Sequence, residues 1–207
     1  MTANSDCYHY DTSGLSCVHE YLLPAVEKIV SARKPQRIFD LGCGNGSVAN
    51  KLCRYAPVSG IDISRSAVQI ANHAFPHLNI EAASVYDDLA ATYGRYPVVI
   101  SLEVVEHLYD PRTYADRLFD LVEPGGIAIV STPYHGYWKN LALALTGSLD
   151  AHFTALWDGG HIKFWSINTL RTLLSKSGFS HIEFLRVGRI PLLAKSMIAV
   201  AKKSNGT

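Results

Sequence analysis

The 207-residue chain has almost no excess of either charge: 19 Lys and Arg face 18 Asp and Glu, a net +1. It lacks the overall basic footprint of a nucleic-acid-binding domain, so no nucleic-acid partner is expected. It also lacks any continuous apolar run of the ~18 residues that a membrane span needs. Its start, MTANSDCYHYDT, has neither the basic region nor the apolar stretch of a secretory signal. These absences point to a soluble, cytoplasmic protein with no membrane span. The four cysteines, Cys7, Cys17, Cys43 and Cys53, form no Cys-x-x-Cys pair, so the usual zinc and redox spacings are missing. Charged residues make up only 18% of the chain against 48% apolar ones. At this length that composition suits one hydrophobic core in a single domain, 1–207.

What is present is an alternation of two periodicities. Residues 1–16 are polar and read as a flexible N-terminal arm. Val18, Leu22, Leu23, Val26, Ile29 and Val30 recur near a 3.6 period, giving a helix over 17–32 that Lys34-Pro35 ends. Short apolar runs at 37–41, 58–62, 78–83, 97–102 and 127–131 then alternate with helical stretches at 47–55, from Ser64, and from Asp110-Pro111 to Val122. Ser64 and Asp110 are of the type that caps helix N-termini, and Pro111 falls at the first helical position. Runs apolar throughout suit parallel strands covered on both faces. Strands alternating with helices in this way make βαβ units, hence an α/β fold. A helix over 167–176 ends at Gly178. Two last strands, near 180–187 and 195–202, are expected as an antiparallel hairpin at the sheet edge. Residues 134–162 break the rhythm and read as a substrate-side insertion or lid.

The most informative stretch is Asp40-Leu41-Gly42-Cys43-Gly44-Asn45-Gly46, between the first strand and its helix. Glycines there permit a tight turn and let backbone approach a ligand, and the helix N-terminus adds open N–H groups. Asp62 ends the second strand 18 residues after Gly44, where a carboxylate can accept both hydroxyls of an adenosine ribose. A pyrophosphate cradle normally reads G-x-G-x-x-G, yet here the third glycine comes one residue early. Asp40 also sets a negative charge beside the loop. That charge repels pyrophosphate and suits the cationic methionyl end of S-adenosylmethionine.

At this point the sequence resembles the class I S-adenosylmethionine-dependent methyltransferases. The loop at 40–46 looks like the family's first motif, Gly60-Ile61-Asp62-Ile63-Ser64 like its second, and Leu121-Val122-Glu123-Pro124-Gly125-Gly126 like the turn before its fifth strand. The resemblance covers 35–132 and, more loosely, 160–202. It implies a Rossmann-like three-layer αβα sandwich around a seven-stranded sheet of order 3-2-1-4-5-7-6, with strand seven antiparallel. It further implies that Asp40, Gly42, Cys43, Gly44, Asn45 and Gly46 hold the methionyl end and that Asp62 holds the ribose. By the same resemblance Ile63 flanks the adenine, Tyr86 or Val85 covers its other side, Asp87 meets its amine, and Leu102 and Glu103 close the methionyl pocket.

Beyond the fourth strand comes Glu103-Val104-Val105-Glu106-His107. In a helix, Glu103, Glu106 and His107 at i, i+3 and i+4 share one face. Three roles are open to them: capping of N–H groups, ligation of a divalent metal, or general-base work by His107 with Glu106 orienting it. The ubiquinone-pathway O-methyltransferases are similar here and are associated with Mg²⁺ on these residue types. Gly160-His161-Ile162-Lys163-Phe164-Trp165-Ser166 also resembles that group, whereas the short N-terminal region and the insertion from Tyr134 depart from it. His161 is the second candidate for a base or acceptor anchor.

Aromatic residues gather outside the strands: Tyr8, Tyr10, Tyr134, Tyr137, Trp138, Phe153, Trp157, Phe164 and Trp165, interleaved with His9, His135, His152 and His161. They read either as a wall for a flat or amphipathic small-molecule acceptor or as a packing cap or dimer surface. Tyr134 and His135 are expected to face the transferred methyl, and Tyr8, His9 and Tyr10 to fold over the cofactor. The expected activity is small-molecule O-methylation by a monomer or homodimer. The alternatives are N-methylation, a non-catalytic S-adenosylmethionine-binding protein, and an NAD-dependent oxidoreductase.

Overall fold

A computed structural model describes residues 12–153, 156 and 159–205. Seven strands form one sheet in the order β3-β2-β1-β4-β5-β7-β6. They are β1 (Ile38–Leu41), β2 (Val58–Asp62), β3 (Asn79–Ala82), β4 (Tyr96–Leu102), β5 (Val122–Pro133), β6 (Ser180–Val187) and β7 (Ser196–Lys202). Strands β1 to β5 pair in parallel, and β7 runs antiparallel to both β5 and β6. This is the order and sense that the resemblance implies.

The continuous apolar strands work as two-faced elements. Phe39, Val99, Ala128 and Val130 enter one core with Tyr114, Leu118 and Leu170. Their neighbours Ile38, Val98, Ile100, Ile127 and Ile129 enter the other, with Leu22, Val26 and Leu52. Side chains alternate across a strand, so a strand covered on both sides must be apolar at every position. Phe39 and Tyr114 are wholly buried; truncating such an aromatic typically costs about 3–5 kcal/mol.

Helices α1 (Cys17–Arg33), α2 (Ser47–Leu52) and α3 (Arg65–Ala74) cover the second core. Helices α4 (Leu89–Tyr93), α5 (Pro111–Leu121) and α8 (Ile167–Lys176) belong to the first. The expected caps are made. The Ser64 hydroxyl accepts from Ala67 N–H at 3.3 Å, and Asp110 accepts from Arg112 and Thr113 N–H, each at 3.2 Å. At the end of α8, Gly178 has φ +106°, the left-handed backbone that favours glycine there.

Several local expectations need correction. The helix after the glycine loop is short, ending at Leu52 rather than Tyr55. Strand β5 begins at Val122, through the Glu123-Pro124-Gly125-Gly126 turn. Tyr96 pairs Val122, and the backbones of Gly125, Gly126 and Lys203 exchange bonds at 3.0 Å. The insertion carries two helices, α6 (Tyr137–Leu145) and α7 (Leu149–Phe153). The segment after β4 is a single 3-10 turn, Val105–His107, and not an α-helix. Among the described residues no helix is long and apolar enough to cross a membrane. The expected coverage by Tyr8, His9 and Tyr10, and the place of Trp157, lie outside the described residues.

Candidate active site

Strand β1 lies between β2 and β4, so successive connections leave it in opposite directions. Parallel sheets bind ligands at such a switch point, beyond the carboxyl ends of the strands. A cavity of about 910 Å³ opens there. Its near end is lined by Asp40, Gly42, Cys43, Gly44, Asn45, Asp62, Ile63, Val85, Tyr86, Leu102 and Glu103.

Local bonding shapes this end. The N–H groups of Gly42 and Cys43 both donate to the Ile61 carbonyl at 2.9 Å, strapping the loop onto β2. Gly42 has φ +85°, and a Cβ there would meet the Val104 side chain at 2.5 Å. Glycine is required on both counts. Asp62 accepts from Gly44 N–H and from Ser64 N–H, each at 2.8 Å. Asn45 reaches the other way: its amide donates to the carbonyls of Thr12 and Gly14 at 2.7 and 2.9 Å. The described part of the N-terminal arm is thus tied to the glycine loop. Two expected contacts are not on the cavity wall. Gly46 caps α2 with φ +74°. Asp87 is exposed, and its carboxylate accepts from Ser84 N–H at 2.9 Å; Ser84 lines the cavity instead.

The electrostatics favour a cation. Asp40 is buried, and its Oδ2 has no hydrogen-bond partner among the described residues. Burial, then the neighbouring Asp62 charge, pushes its carboxyl up to about 8. Burial also raises Asp62, against the two backbone bonds that lower it. An ammonium or sulfonium would relieve Asp40, whereas a pyrophosphate would meet two acids.

Residues 16–183 match the family described as "Methyltransferase domain". The chain belongs to that family. A ubiquinone biosynthesis O-methyltransferase of Cereibacter sphaeroides is 31% identical over 82% of this chain and 71% of its own length. A second protein of that name and species is 34% identical over 71% of this chain and 61% of that relative. The chain thus spans about three fifths of the length of that second relative. Among solved structures, a methyltransferase of Bacillus halodurans described as putative superposes with a TM-score of 0.68 at 12% identity, over 88% of this chain and 99% of that one. The N-methyltransferase NodS of Bradyrhizobium japonicum, in complex with S-adenosyl-L-homocysteine, gives 0.64 at 16% identity, over 88% and 85%. Such distant likenesses concern the fold.

The methyltransferase cavity fits S-adenosylmethionine on the chemistry of its donors: an unpartnered buried carboxylate for a cationic end, a second carboxylate at the tip of β2, and glycine backbone between them. Its far end is lined by His107, His152 and His161, by Lys139, Ala142 and Leu143 of α6 with Thr146 at its C-cap, and by residues 193–196 and Arg189 near β7. None of these α6 or loop residues carries a sequence motif. The i, i+3, i+4, i+7 spacing of 139, 142, 143 and 146 was the readable signal.

Two distant motifs meet at this far end. The N–H groups of Ile162 and Lys163 both donate to the Glu106 carbonyl at 2.9 Å, and the Trp165 indole donates to the Val105 carbonyl at 3.3 Å. The His161 run is thereby stitched to the turn after β4. His107 and His161 stand edge to face, 4.9 Å between ring centroids. Ligand atoms of Glu106, His107 and His161 all lie within 4.8 Å of one another. Glu106 itself is buried behind the wall; burial, then Glu103, raises its carboxyl well above the usual range. Burial also lowers His107, opposed by bonds to Gly160 and Gly159, and takes His161 down to about 4.

Glu103 lines the cavity but is not in the group of Glu106, His107 and His161, and the segment is a 3-10 turn rather than the helix that would put it on their face. Glu103 sits at φ +56°, with its carboxylate accepting from Ser131 at 2.7 Å and Ser196 at 3.5 Å. The Ser196 hydroxyl also bonds the Tyr21 phenol at 2.9 Å. Burial pushes Glu103 up to about 7, against those serine bonds.

Of the two readings of the aromatic residues, ligand wall or packing cap, the cavity lining agrees better with the cap. Tyr134, His135, Tyr137, Trp138, Phe153 and Phe164 are not among the residues lining the cavity. His135 is sandwiched instead, stacked on Phe153 at 6.0 Å and edge-on to Phe164 at 5.1 Å. Trp165 is buried under the 3-10 turn. Aromatic rings pack on one another where no ligand is needed to bury them.

Proposed function

We propose that this methyltransferase transfers the methyl group of S-adenosylmethionine to an oxygen of a small molecule seated at the far end of the cavity. When bound, S-adenosylmethionine supplies a methyl group on a sulfonium, an electrophile open to direct displacement. The near-end residues would hold it, with Asp40 toward the methionyl cation and Asp62 toward the ribose. The far end would align the acceptor and shed water, which is most of what a displacement requires.

The observation that carries oxygen rather than nitrogen is the state of His107. Its Nδ1 lies 2.9 Å from the Gly159 carbonyl and 3.2 Å from that of Gly160. Carbonyls only accept, so Nδ1 carries the proton and Nε2 the lone pair. A neutral imidazole of fixed tautomer on the cavity wall is suited to take a hydroxyl proton. A neutral amine acceptor has no need of it. His161, depressed further, is better suited to accept a hydrogen bond from the acceptor than to hold its proton.

A metal role is a second reading, favoured by the grouping of Glu106, His107 and His161. One carboxylate and two imidazoles suit a zinc-like or iron-like ion better than Mg²⁺, which prefers oxygen ligands.

The test uses labelled S-adenosylmethionine and fractionated small-molecule extract, with mass spectrometry of the labelled product. His107→Gln should then lower turnover by about 100-fold or more while S-adenosylhomocysteine affinity by calorimetry stays the same. A product methylated on nitrogen, with His107→Gln nearly as active as the parent, would overturn the oxygen reading. Loss of turnover on chelation, restored by Zn²⁺ or Fe²⁺, would favour the metal reading.

A further inference from the structure

We propose that the acceptor is an amphipathic organic acid, its carboxylate held by Lys139 with Arg189 and its apolar body laid along Leu143 of α6. This rests on the reading of the far end as the acceptor's seat.

Charge on the far wall is one-sided. Lys139, Arg189 and Lys195 line it, while the carboxylates of the same cavity, Asp40, Asp62 and Glu103, stand at its near end, and of these Glu103 is the one that acts on Lys139. That carboxylate is already bonded to Ser131 and Ser196.

Lys139 is the decisive member. It is half-buried rather than a solvated rim residue. Its ammonium donates to the Tyr134 carbonyl at 2.9 Å and the Lys195 carbonyl at 3.5 Å. An ammonium has three donors, and no carboxylate lies within ion-pair reach of it among the described residues. Burial disfavours its charge, and Arg189 adds repulsion that Glu103 offsets only in part. Two like charges beside a cavity, one of them partly desolvated, make a site where an anion is favoured.

The neighbouring residues shape the rest of the ligand. Lys139, Ala142 and Leu143 of α6, with Thr146 at its C-cap, form one stripe facing the cavity. The cation stands at one end of the stripe and the aliphatic side chains follow it. Leu193 lines the cavity from the loop that also brings Arg189. An acid head with an apolar body matches this sequence of surfaces.

The test is calorimetry on the full chain saturated with S-adenosylhomocysteine, using octanoate and its neutral counterpart octanamide as probes. Octanoate should bind roughly tenfold tighter than octanamide, the worth of one charge-assisted hydrogen bond. Lys139→Gln should abolish that preference and Lys139→Arg should keep it. Arg189→Gln, at an exposed loop position, should reduce it about threefold without risk to folding. S-adenosylhomocysteine affinity should be the same in all four proteins. Equal binding of the two probes, no binding of octanoate, or an undiminished preference in Lys139→Gln would each overturn the proposal. Failure of S-adenosylhomocysteine to bind would instead strike the methyltransferase site itself.

Discussion

The Gly44 N–H donates to Asp62 Oδ2 at 2.8 Å, so the acid at the tip of β2 is bonded to the glycine loop that follows β1. The Asp62 carboxylate therefore does two jobs. It holds the loop in shape, and it keeps further lone pairs for a ligand.

Replacing Asp62 should accordingly damage the cofactor site twice. Asp62→Ala is expected to weaken S-adenosylmethionine binding about 10- to 100-fold, the range for bonds to a charged group. Asp62→Asn should fall between, since its amide oxygen can still accept from Gly44. Isothermal calorimetry on the three proteins checks this; an unchanged affinity in Asp62→Ala would remove the ribose assignment.

Asp40 makes a pH prediction with a definite sign. Its folded value, about 8, lies above the ordinary 3.8. The stability it contributes is complete below the unfolded value and is lost as pH rises through the folded one. The ligand-free protein should thus lose stability between about pH 4 and about pH 8 through this group. Asp40→Asn removes that dependence, so its melting temperature should gain on the parent as pH rises. A constant difference between the two across that range would count against the assignment. Binding of a cationic cofactor should also release a proton near neutral pH, seen as a buffer-dependent binding enthalpy.

Gly60 is a strand glycine with a packing role. It pairs Asp40 across β1 and β2, and a Cβ there would stand 2.9 Å from the Asp40 carbonyl and 3.1 Å from Cys43 Cβ. Gly60→Ala should destabilise by about 1–3 kcal/mol, as overpacking does, and should also weaken cofactor binding by displacing the loop. Urea unfolding and calorimetry report the two effects separately. A neutral substitution would mean the strands can part at no cost.

Ser131 joins β5 to the strained end of β4. It accepts from Glu103 N–H at 3.0 Å and donates to the Glu103 carboxylate at 2.7 Å. It is fully buried. Ser131→Ala should cost about 1 kcal/mol by removing both hydroxyl bonds, since the Glu103 N–H keeps the Ser131 carbonyl and its carboxylate keeps Ser196. If chemical denaturation shows no loss, the Glu103 conformation is being held by other contacts.

The sequence by itself determined the sheet, the donor end of the cavity and the family. Strands apolar at every residue can be satisfied only between two helical layers. The glycines at 42–46 with Asp40 and Asp62 fix backbone shape and charge within a few residues of one another, so spacing alone reveals them. Tertiary structure decided the far end of the cavity. A 3-10 turn, not a helix, follows β4, so the i, i+3, i+4 spacing of Glu103, Glu106 and His107 does not describe their arrangement, although Glu103 does line the cavity. His161 reaches His107 only because backbone bonds from 162 and 163 converge on the Glu106 carbonyl. The aromatic residues of 134–164 could be a ligand wall or a packing cap, and His135, Phe153 and Phe164 pack on one another. Lys139 and Arg189, 50 positions apart, become neighbours on one wall only when α6 and the loop before β7 close over the same strand ends. Local spacing records what the backbone must do nearby. It does not record which distant side chains the folded sheet will set across a cavity from one another.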